Sequence, residues 1–455
     1  MSEYTREEIL KLIEENGGPE GLDLSGKDLS DIDLSREAIA AELEKRGISD
    51  VNDFPVWARA VDGRLRGINL PLVNLREAKL AGAKLQGAFL WRANLKKAGL
   101  QGADLQKTVL GEADLQETSL WRANLQEADL VETNLQKADL RHAKIQKAQL
   151  YGANLFKANL GEADLQEADL QNARLQSANL VSANLQEADL KGADLRGAYL
   201  GGTDLQGVSL MGADLQGANL VEANLKGADL RYSHLEKVDF FSAKSLGGAY
   251  FYNAFLDDTR MRREQLGGAI GEELVERYDE AKEAYLALKN NFAEIGRYRD
   301  ESWAYVKERR MGKMMHHPRL ARKYYEEELP ENPNVWQLGW FYTRHTAKWT
   351  LDWVVEWTCG YGESVLRTLR AMGVALVGFA VLYWLLGAVV DVSGNPSSTW
   401  LHCLLYSGGA FTTFGVDTLR PANDWIRALS ILESVVGIAL TGLLGFVLGN
   451  RIRRS

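Results

Sequence analysis

The run GGAFTTFGVD, residues 408–417, concentrates oxygen-bearing groups in a chain otherwise dominated by a five-residue repeat and by apolar stretches. Two Thr hydroxyls, the backbone carbonyls around Gly415 and the Asp417 carboxylate could together replace the hydration shell of a cation. Gly415 lacks a Cβ and can adopt conformations that direct successive carbonyls to one side. The alternative is an ordinary turn between two apolar helices. The choice depends on the elements that surround this run.

Two long apolar stretches flank the run. Residues 371–390 contain no charged residue, and residues 429–449 contain only Glu433, near their start. About 20 apolar residues are enough to cross the ~30 Å hydrocarbon layer of a bilayer. We therefore predict two transmembrane helices, with their connection at residues 391–428.

The connection contains a further apolar segment within residues 399–418. This segment is long enough for a short helix that re-enters the membrane partway, and Thr-Thr-x-Gly-x-Asp follows it. Non-helical backbone at membrane depth is tolerated only where protein shields it or where it lines water. A membrane anchor would have no need for such a segment.

The order span, re-entrant helix, Thr-Thr-x-Gly-x-Asp, span resembles the two-transmembrane pore module of the potassium-channel superfamily. The resemblance implies a homotetramer whose four filter strands surround a permeant monovalent cation, K⁺ and also Na⁺ if selectivity is weak. Val416 replaces the Tyr of the potassium signature and the second Gly is missing, which is similar to the truncated filters of cyclic-nucleotide-gated channels. In this resemblance two Thr begin the filter, three residues supply carbonyls and an Asp stands at the outer mouth: Thr412, Thr413, Phe414, Gly415, Val416 and Asp417.

The second span carries candidates for supporting or gating a pore. An acidic side chain inside a membrane is costly, so Glu433 is expected to have a function, and we hypothesise that it supports the filter from behind. Three glycines allow either close helix packing or a gating bend, namely Gly437, Gly442 and Gly445. The sequence Gly360-Tyr361-Gly362 copies part of the potassium signature, but it precedes both spans. It predicts a bend, with Ser364 as the N-cap of the first span.

An apolar residue recurs every five positions from Leu70 to Phe240, usually with Ala two positions before it. A period of five does not form one face of a helix, which needs a period of 3.6. The triplet of Ala, Asp or Asn, and Leu alternates as a very short strand does, and the next two residues can form a corner. The pattern therefore predicts a solenoid with Leu and Ala pointing inward.

This motif resembles the pentapeptide-repeat family. The resemblance implies a right-handed quadrilateral β-helix of about nine coils, with ~4.8 Å between neighbouring strands. Leu24, Leu29 and Leu34 precede a helical insertion and predict an N-terminal cap, and the phase slips again after Phe240, as expected of terminal repeats. Some members of the family mimic DNA, but here acidic and basic residues are interleaved. We therefore expect no nucleic-acid partner. We expect the β-helix to be a scaffold or to offer a surface to an unidentified cytoplasmic protein or ligand.

Between the repeat and the spans, the apolar pattern at residues 269–328 predicts a helical hairpin, interpreted as a connector or an oligomer contact. His316 and His317 are expected to be solvated linker residues. Residues 333–363 place Trp residues four positions apart on one face, which suits an interfacial amphipathic helix in contact with membrane lipid; a Trp face buried in protein is the alternative. Nine of the 12 Trp follow residue 300, so the two halves of the chain are built for different surroundings.

The composition excludes several classes of function. Two cysteines are too few for a disulfide framework, and we find no metal-ligand cluster, no nucleophile with a base and no phosphate loop. We therefore expect no cofactor, no metal and no enzymatic activity. Basic residues flank both spans on one side, including Arg451, Arg453 and Arg454, which predicts a cell-membrane protein with both termini in the cytoplasm.

The predicted fold is mixed: a β-helical solenoid, an α-helical connector and a two-helix transmembrane pore domain with a re-entrant helix. The predicted domains are an N-terminal cap (1–67), the β-helix (68–260), the hairpin connector (261–332), the interfacial helix (333–363) and the pore domain (364–455). The favoured function is a homotetrameric cation channel with a cytoplasmic domain that regulates, senses or anchors. The alternative is a membrane-anchored scaffold that conducts no ions.

Overall fold

The computed structural model describes residues 4–20, 22–48, 55, 58, 68–396 and 399–453. The chain divides into two compact units, Met1–Asp300 and Glu301–Ser455. The first unit contains the five-residue repeats with a helix or helices at each end. The second contains the membrane-length helices and the candidate site.

Helix α1 (Arg6–Glu15) opens the first unit and α2 (Arg36–Lys45) follows the first three repeats. Thr5 and Glu8 form a capping box, in which the Glu8 N–H donates to the Thr5 hydroxyl over 3.3 Å. Ion pairs join the two helices, including Lys45 Nζ to Glu7 at 2.6 Å. These ion pairs hold α2 against α1.

The five-residue repeats form a β-helix. Parallel bridges join residues 20 positions apart, for example Asn74 to Asn94 and Asn94 to Asp114, so one coil takes four pentapeptides. The Leu and Ala of each unit are buried, as the period predicted; Leu165 and Ala163 are 0% and 1% exposed. At each corner one residue has a positive φ, such as Glu167 at 57°. The inward apolar column therefore supplies the core, and the backbone ladder stacks the coils.

The first coil is interrupted by the helical insertion. Asp23, Asp28 and Asp33 bridge to Asn74, Lys79 and Lys84 of the next coil, and the fourth side is supplied by Asn69, beyond the insertion. The predicted N-terminal cap thus contains three sides of a coil. The segment that returns the chain from α2 to the coil falls mostly on residues 49–54, 56, 57 and 59–67, which lie outside the described residues.

At the other end, the bridge spacing lengthens to 21 residues, as between Asn224 and Ser245, which is the predicted phase slip. Leu246, Phe251 and Leu256 remain buried, as expected. The Leu246 N–H donates to the Gln265 backbone carbonyl over 2.8 Å. The Phe251 N–H donates instead to a side chain of the helices that follow.

Helices α3 (Gly271–Leu274) and α4 (Tyr278–Glu294) close this end. Glu272 accepts hydrogen bonds from the Phe251 and Tyr252 N–H groups at 2.5 and 2.6 Å, and the Asn291 amide exchanges two hydrogen bonds with the Thr259 backbone. Part of the segment that we predicted to be a connector therefore caps the β-helix. A break at residues 295–297 separates α4 from α5 (Tyr298–Met315).

The second unit continues with α6 (Ala321–Tyr325), α7 (Val335–Cys359), α8 (Val365–Leu385), β1 (Val389–Asp391), α9 (Trp400–Thr412), β2 (Leu419–Pro421) and α10 (Asp424–Arg453). Strands β1 and β2 pair antiparallel, with Val390 opposite Arg420. Helices α8, α9 and α10 pack on one another. The short sheet therefore ties together the two ends of the segment that joins α8 to α10.

Helices α8 and α10 are long and apolar enough to cross a membrane. The second contains the predicted span 429–449, but the first begins and ends earlier than the predicted 371–390. Gly387 adopts a φ of 58°, which ends the helix, and Val389 enters β1. Apolar composition alone could not separate these last residues from the helix.

Candidate functional site: the segment between the two membrane-length helices

Helix α9 lies between α8 and α10 and directly precedes the oxygen-rich run. Thr399 caps its first turn by accepting a hydrogen bond from the His402 N–H at 3.4 Å. Its buried residues include Cys403, Tyr406 and Phe411, which face the other helices rather than solvent. The short helix predicted after the first span is therefore present, and it ends at Thr412.

The carbonyl end of α9 rests directly on α10. A Cβ placed on Gly437 would lie 2.0 Å from the Phe411 carbonyl oxygen, a distance that no side chain tolerates. The Ser434 hydroxyl donates to the Ala410 carbonyl over 2.7 Å. Gly437 is thus a position of close helix packing, one of the two roles that the sequence left open for it.

Glu433 is 0% exposed and joins all three helices. The Tyr383 hydroxyl of α8 donates to its Oε2 over 2.8 Å, and the Ser407 hydroxyl of α9 donates to its Oε1. Ser407 Oγ also lies 2.9 Å from the Leu376 carbonyl. A carboxyl group in this setting needs such donors, because burying an unsatisfied one is costly.

The oxygen-rich part of the run, residues 412–417, begins where α9 stops. Thr413 has a φ of 62° and Gly415 a φ of 68°, so the chain turns twice within three residues. The Gly415 N–H donates to the Gly409 carbonyl over 3.2 Å. Val416 packs against the buried cluster that contains Tyr383 and Tyr406. One side of the run is therefore attached to α9.

The other side of the run is open. Thr412, Thr413, Gly415 and Asp417 are exposed, and the side chain of Phe414 is 91% exposed. Thr412 Oγ1 donates to the Gly408 carbonyl over 2.7 Å and Thr413 Oγ1 to the Thr412 carbonyl over 2.6 Å. Since each hydroxyl proton points to backbone, the oxygen lone pairs remain available as acceptors.

These oxygen atoms can act only as weak ligands within one chain, because one strand cannot enclose an ion. Within the described ranges, His, Cys, Asp and Glu side chains form no group of three or more that could hold a metal ion. Several copies of the run around one axis would supply the missing coordination.

The remaining glycine candidates differ from Gly437. A Cβ on Gly442 or on Gly445 would meet no atom within 4 Å among the described residues. Of these three glycines, only Gly437 is in close packing contact within the described part of the chain. The sequence also missed Tyr383, Ser407, Ser434 and Gly409. The one sequence feature that could have indicated these four residues is the presence of hydroxyl-bearing residues and glycine in otherwise apolar helices.

The Gly360-Tyr361-Gly362 sequence forms the bend that the sequence predicted. Gly360 ends α7 with a φ of 58°, and the Ser364 hydroxyl caps α8 by accepting from the Arg367 N–H at 3.3 Å. Tyr361 is buried. The copy of the potassium signature is therefore a helix connection, well separated in sequence from the run at 412–417.

Helix α7 has one polar face and one apolar face. Its polar face contacts the end of α5, where Arg310 pairs with Glu356 at 2.6 Å and Arg309 with Asp352 at 3.2 Å. Trp336 and Trp340 on the other face are 87% and 72% exposed. Other Trp residues of α7 are partly covered, since Trp349 packs edge-on against His317 and Arg370 lies over the Trp357 ring. Contact of α7 with lipid stays a prediction.

The expectation of solvated histidines at 316 and 317 is wrong. His316 Nδ1 lies 2.8 Å from Nδ1 of His345, and its ring stacks on Tyr325 with 4.6 Å between centroids. His345 is fully buried; burial lowers its pKa, and Glu328 partly opposes this shift. The contact joins α7 to the segment after α5. His345 lies 29 residues after His316, too far along the chain for a sequence pattern to predict that they meet.

Comparison with known proteins assigns both parts of the chain. Residues 74–244 match the model for pentapeptide repeats, with eight copies in overlapping segments, and residues 378–454 match the model for an ion channel. A comparison with curated protein sequences gave no match.

Several solved structures of pentapeptide repeat proteins are similar to part of this chain. HetL, a pentapeptide repeat protein involved in heterocyst differentiation regulation from Nostoc sp. strain PCC 7120, is 29% identical, with 56% of this chain and 94% of HetL covered and a TM-score of 0.29. Rfr23 from Cyanothece 51142 is 40% identical, with 20% and 58% covered and a TM-score of 0.17. A thylakoid-lumen pentapeptide repeat protein from Arabidopsis thaliana is 31% identical, with 23% and 65% covered and a TM-score of 0.14.

The ion-channel match, residues 378–454, includes the C-terminal part of α8 and all of α9 and α10. Together with the two membrane-length helices, it identifies a membrane protein with two spans. The two matched domains, an ion channel and pentapeptide repeats, suggest a non-enzymatic protein. The chain therefore combines pentapeptide repeats, which form a β-helix, with a C-terminal ion-channel domain of the potassium-channel type.

Proposed function

We propose that this chain assembles as a homotetrameric cation channel in which α9 is a re-entrant pore helix and residues 412–417 form the filter. The observation that carries the proposal is the position of this run. One side of it is attached to α9, and its oxygen-rich side is exposed between two membrane-length helices. Exposed backbone at such a position must face water or other protein. A central pore shared by four copies meets that requirement.

The permeant species in this proposal is a monovalent cation. Backbone carbonyls, Thr oxygens and the Asp417 carboxylate offer only acceptors, which favours cations over anions. The run has one Gly, at a φ of 68°, and Asp417 follows two residues later. Because a second Gly is missing, we propose that K⁺ and Na⁺ both pass and that discrimination between them is weak.

We propose that the β-helix is right-handed and four-sided and lies in the cytoplasm, with both termini, beneath a cell membrane. It would regulate, sense or anchor through an unidentified protein or ligand. Its charges are paired along the stack, as in Arg92 with Glu112 and Lys147 with Glu167, so the surface does not favour nucleic acid. The exposed Trp face of α7 would contact membrane lipid.

The test is a current measurement on the purified full-length chain in planar bilayers, with symmetrical and then mixed K⁺ and Na⁺ solutions. We expect a cation current with a reversal potential that reports weak selectivity. Gly415→Ala should abolish or reshape the current, because the added Cβ strains a residue with positive φ. Chemical crosslinking of the same sample should give a tetramer. A crosslinked tetramer that stays silent across pH, calcium and voltage would favour the membrane-anchored scaffold instead.

A further inference from the structure

The contact between the proposed filter, residues 412–417, and α9 depends on one glycine that lies outside the filter. Gly409 is buried on α9, and its carbonyl accepts the Gly415 N–H at 3.2 Å. A Cβ placed on Gly409 would lie 2.6 Å from Val416 Cγ2, 3.0 Å from the Gly415 carbonyl carbon and 3.1 Å from the Gly415 oxygen. The first of these distances requires movement, and the others are tighter than almost all real contacts.

The helix behind this contact has little freedom to retreat. On its far side the Phe411 carbonyl abuts Gly437, Ser434 donates to the Ala410 carbonyl over 2.7 Å, and Ser407 donates to the buried Glu433. Packed interiors resist such displacement. The run is exposed on its other side. An added side chain at Gly409 would therefore push the run away from α9, toward the exposed side of the run, rather than displace α9.

We propose that Gly409 is a specificity-determining residue of the channel: by lacking a side chain, it lets the filter run lie directly against α9 and thereby sets the width of the pore. The inference rests on the proposed function. Gly409 itself contacts no ion; it acts through the position of Gly415 and Val416. An added methyl group at Gly409 should narrow the opening and change which cation passes.

The chain offers a matched control one residue away. Gly408 lies on the same helix, and a Cβ there would meet no atom within 4 Å among the described residues. Gly409→Ala and Gly408→Ala gain the same helix propensity and differ in whether the new methyl group meets the run. Val416→Ala is the reciprocal variant, since it removes the methyl groups that face Gly409 without adding volume.

The experiment measures reversal potentials of the full-length channel under opposed K⁺ and Na⁺ gradients. We expect Gly409→Ala to change the ratio of K⁺ to Na⁺ permeability by roughly threefold or more, which corresponds to a fraction of the usual cost of overpacking, while Gly408→Ala keeps the wild-type ratio. The double variant Gly409→Ala with Val416→Ala should return part of the way to the wild-type ratio. A purely structural role would lower the number of active channels and leave the ratio unchanged.

The outcomes separate the inference from the proposed function. If wild type conducts and Gly409→Ala has the same ratio as Gly408→Ala, the inference is overturned and the channel function stands. If Gly409→Ala does not assemble, Val416→Ala decides, and an unchanged ratio in that variant overturns the inference. A wild-type tetramer that passes no current refutes the channel and the role of Gly409 together.

Discussion

The hydrogen bond between Tyr383 and Glu433 allows a quantitative test of how α9 is held. Tyr383→Phe removes the hydroxyl that donates to Glu433 Oε2 over 2.8 Å and keeps the ring in its T-shaped contact with Tyr406. Glu433 is 0% exposed, so bulk water cannot replace the lost donor. Hydrogen bonds to charged groups contribute about 1.5–3 kcal/mol in soluble proteins, but polar contacts between membrane helices average only ~0.6 kcal/mol.

We expect an intermediate loss. Glu433 keeps the Ser407 donor on its other oxygen, which limits the cost, whereas one carboxyl oxygen is left without a partner inside the protein, which increases it. The free energy of unfolding should therefore fall by about 1–2 kcal/mol. Because the contact joins α8 to α10 behind α9, we also expect the open state of the variant channel to be less stable.

The assay is reversible unfolding of the purified protein in detergent, with Tyr406→Phe as the matched control. Tyr406 lies in the same buried cluster, and its hydroxyl makes no hydrogen bond among the described residues. A double-mutant cycle with Ser407→Ala then isolates the coupling through Glu433. Equal losses in Tyr383→Phe and Tyr406→Phe would refute the argument that the Glu433 carboxyl holds the three helices together.

Two further predictions concern other positions. Burial raises the pKa of Glu272 from 4.5 to about 7, so between these pH values the folded state binds more protons than the unfolded state, and stability is lost as pH rises through about 7. Relative to wild type, the free energy of unfolding of Glu272→Gln should therefore increase by roughly 1–3 kcal/mol between pH 4.5 and 8. A difference between the two proteins in urea unfolding that stays constant with pH would contradict this. Gly437→Ala places a methyl group on the Phe411 carbonyl and should cost about 1–3 kcal/mol or more, while Gly442→Ala has open space and should not; similar melting temperatures for the two would exclude the close contact.

Local patterns predicted the parts of the fold that depend on short-range spacing. The five-residue period identified the inward residues of the β-helix, because each coil repeats the same corner and the same buried Leu. The order of apolar segments likewise located α9 and its end at Thr412 to within a residue. The capping box at Thr5 and the bend at Gly360 were also readable from adjacent residues.

The interactions that hold the candidate site could not be read in this way. Tyr383 lies 50 residues before Glu433 and Ser407 lies 26 before it, so their meeting depends on helix packing rather than on spacing. Glu433 was suspected from the cost of an acid in a membrane, but its partners were not. The same limit applies to His316 and His345, which are 29 residues apart. The role of the filter residues in conduction remains a prediction.

The 20-residue coil has a consequence for how the repeat region can change in length. Gain or loss of one pentapeptide would keep the local motif intact but would shift every later side chain to the neighbouring side of the stack. Whole-coil duplications, by contrast, preserve which residues form each column and extend ladders such as Lys147 above Glu167. Natural variants of this region should therefore differ by multiples of four repeats wherever one side of the stack is under selection.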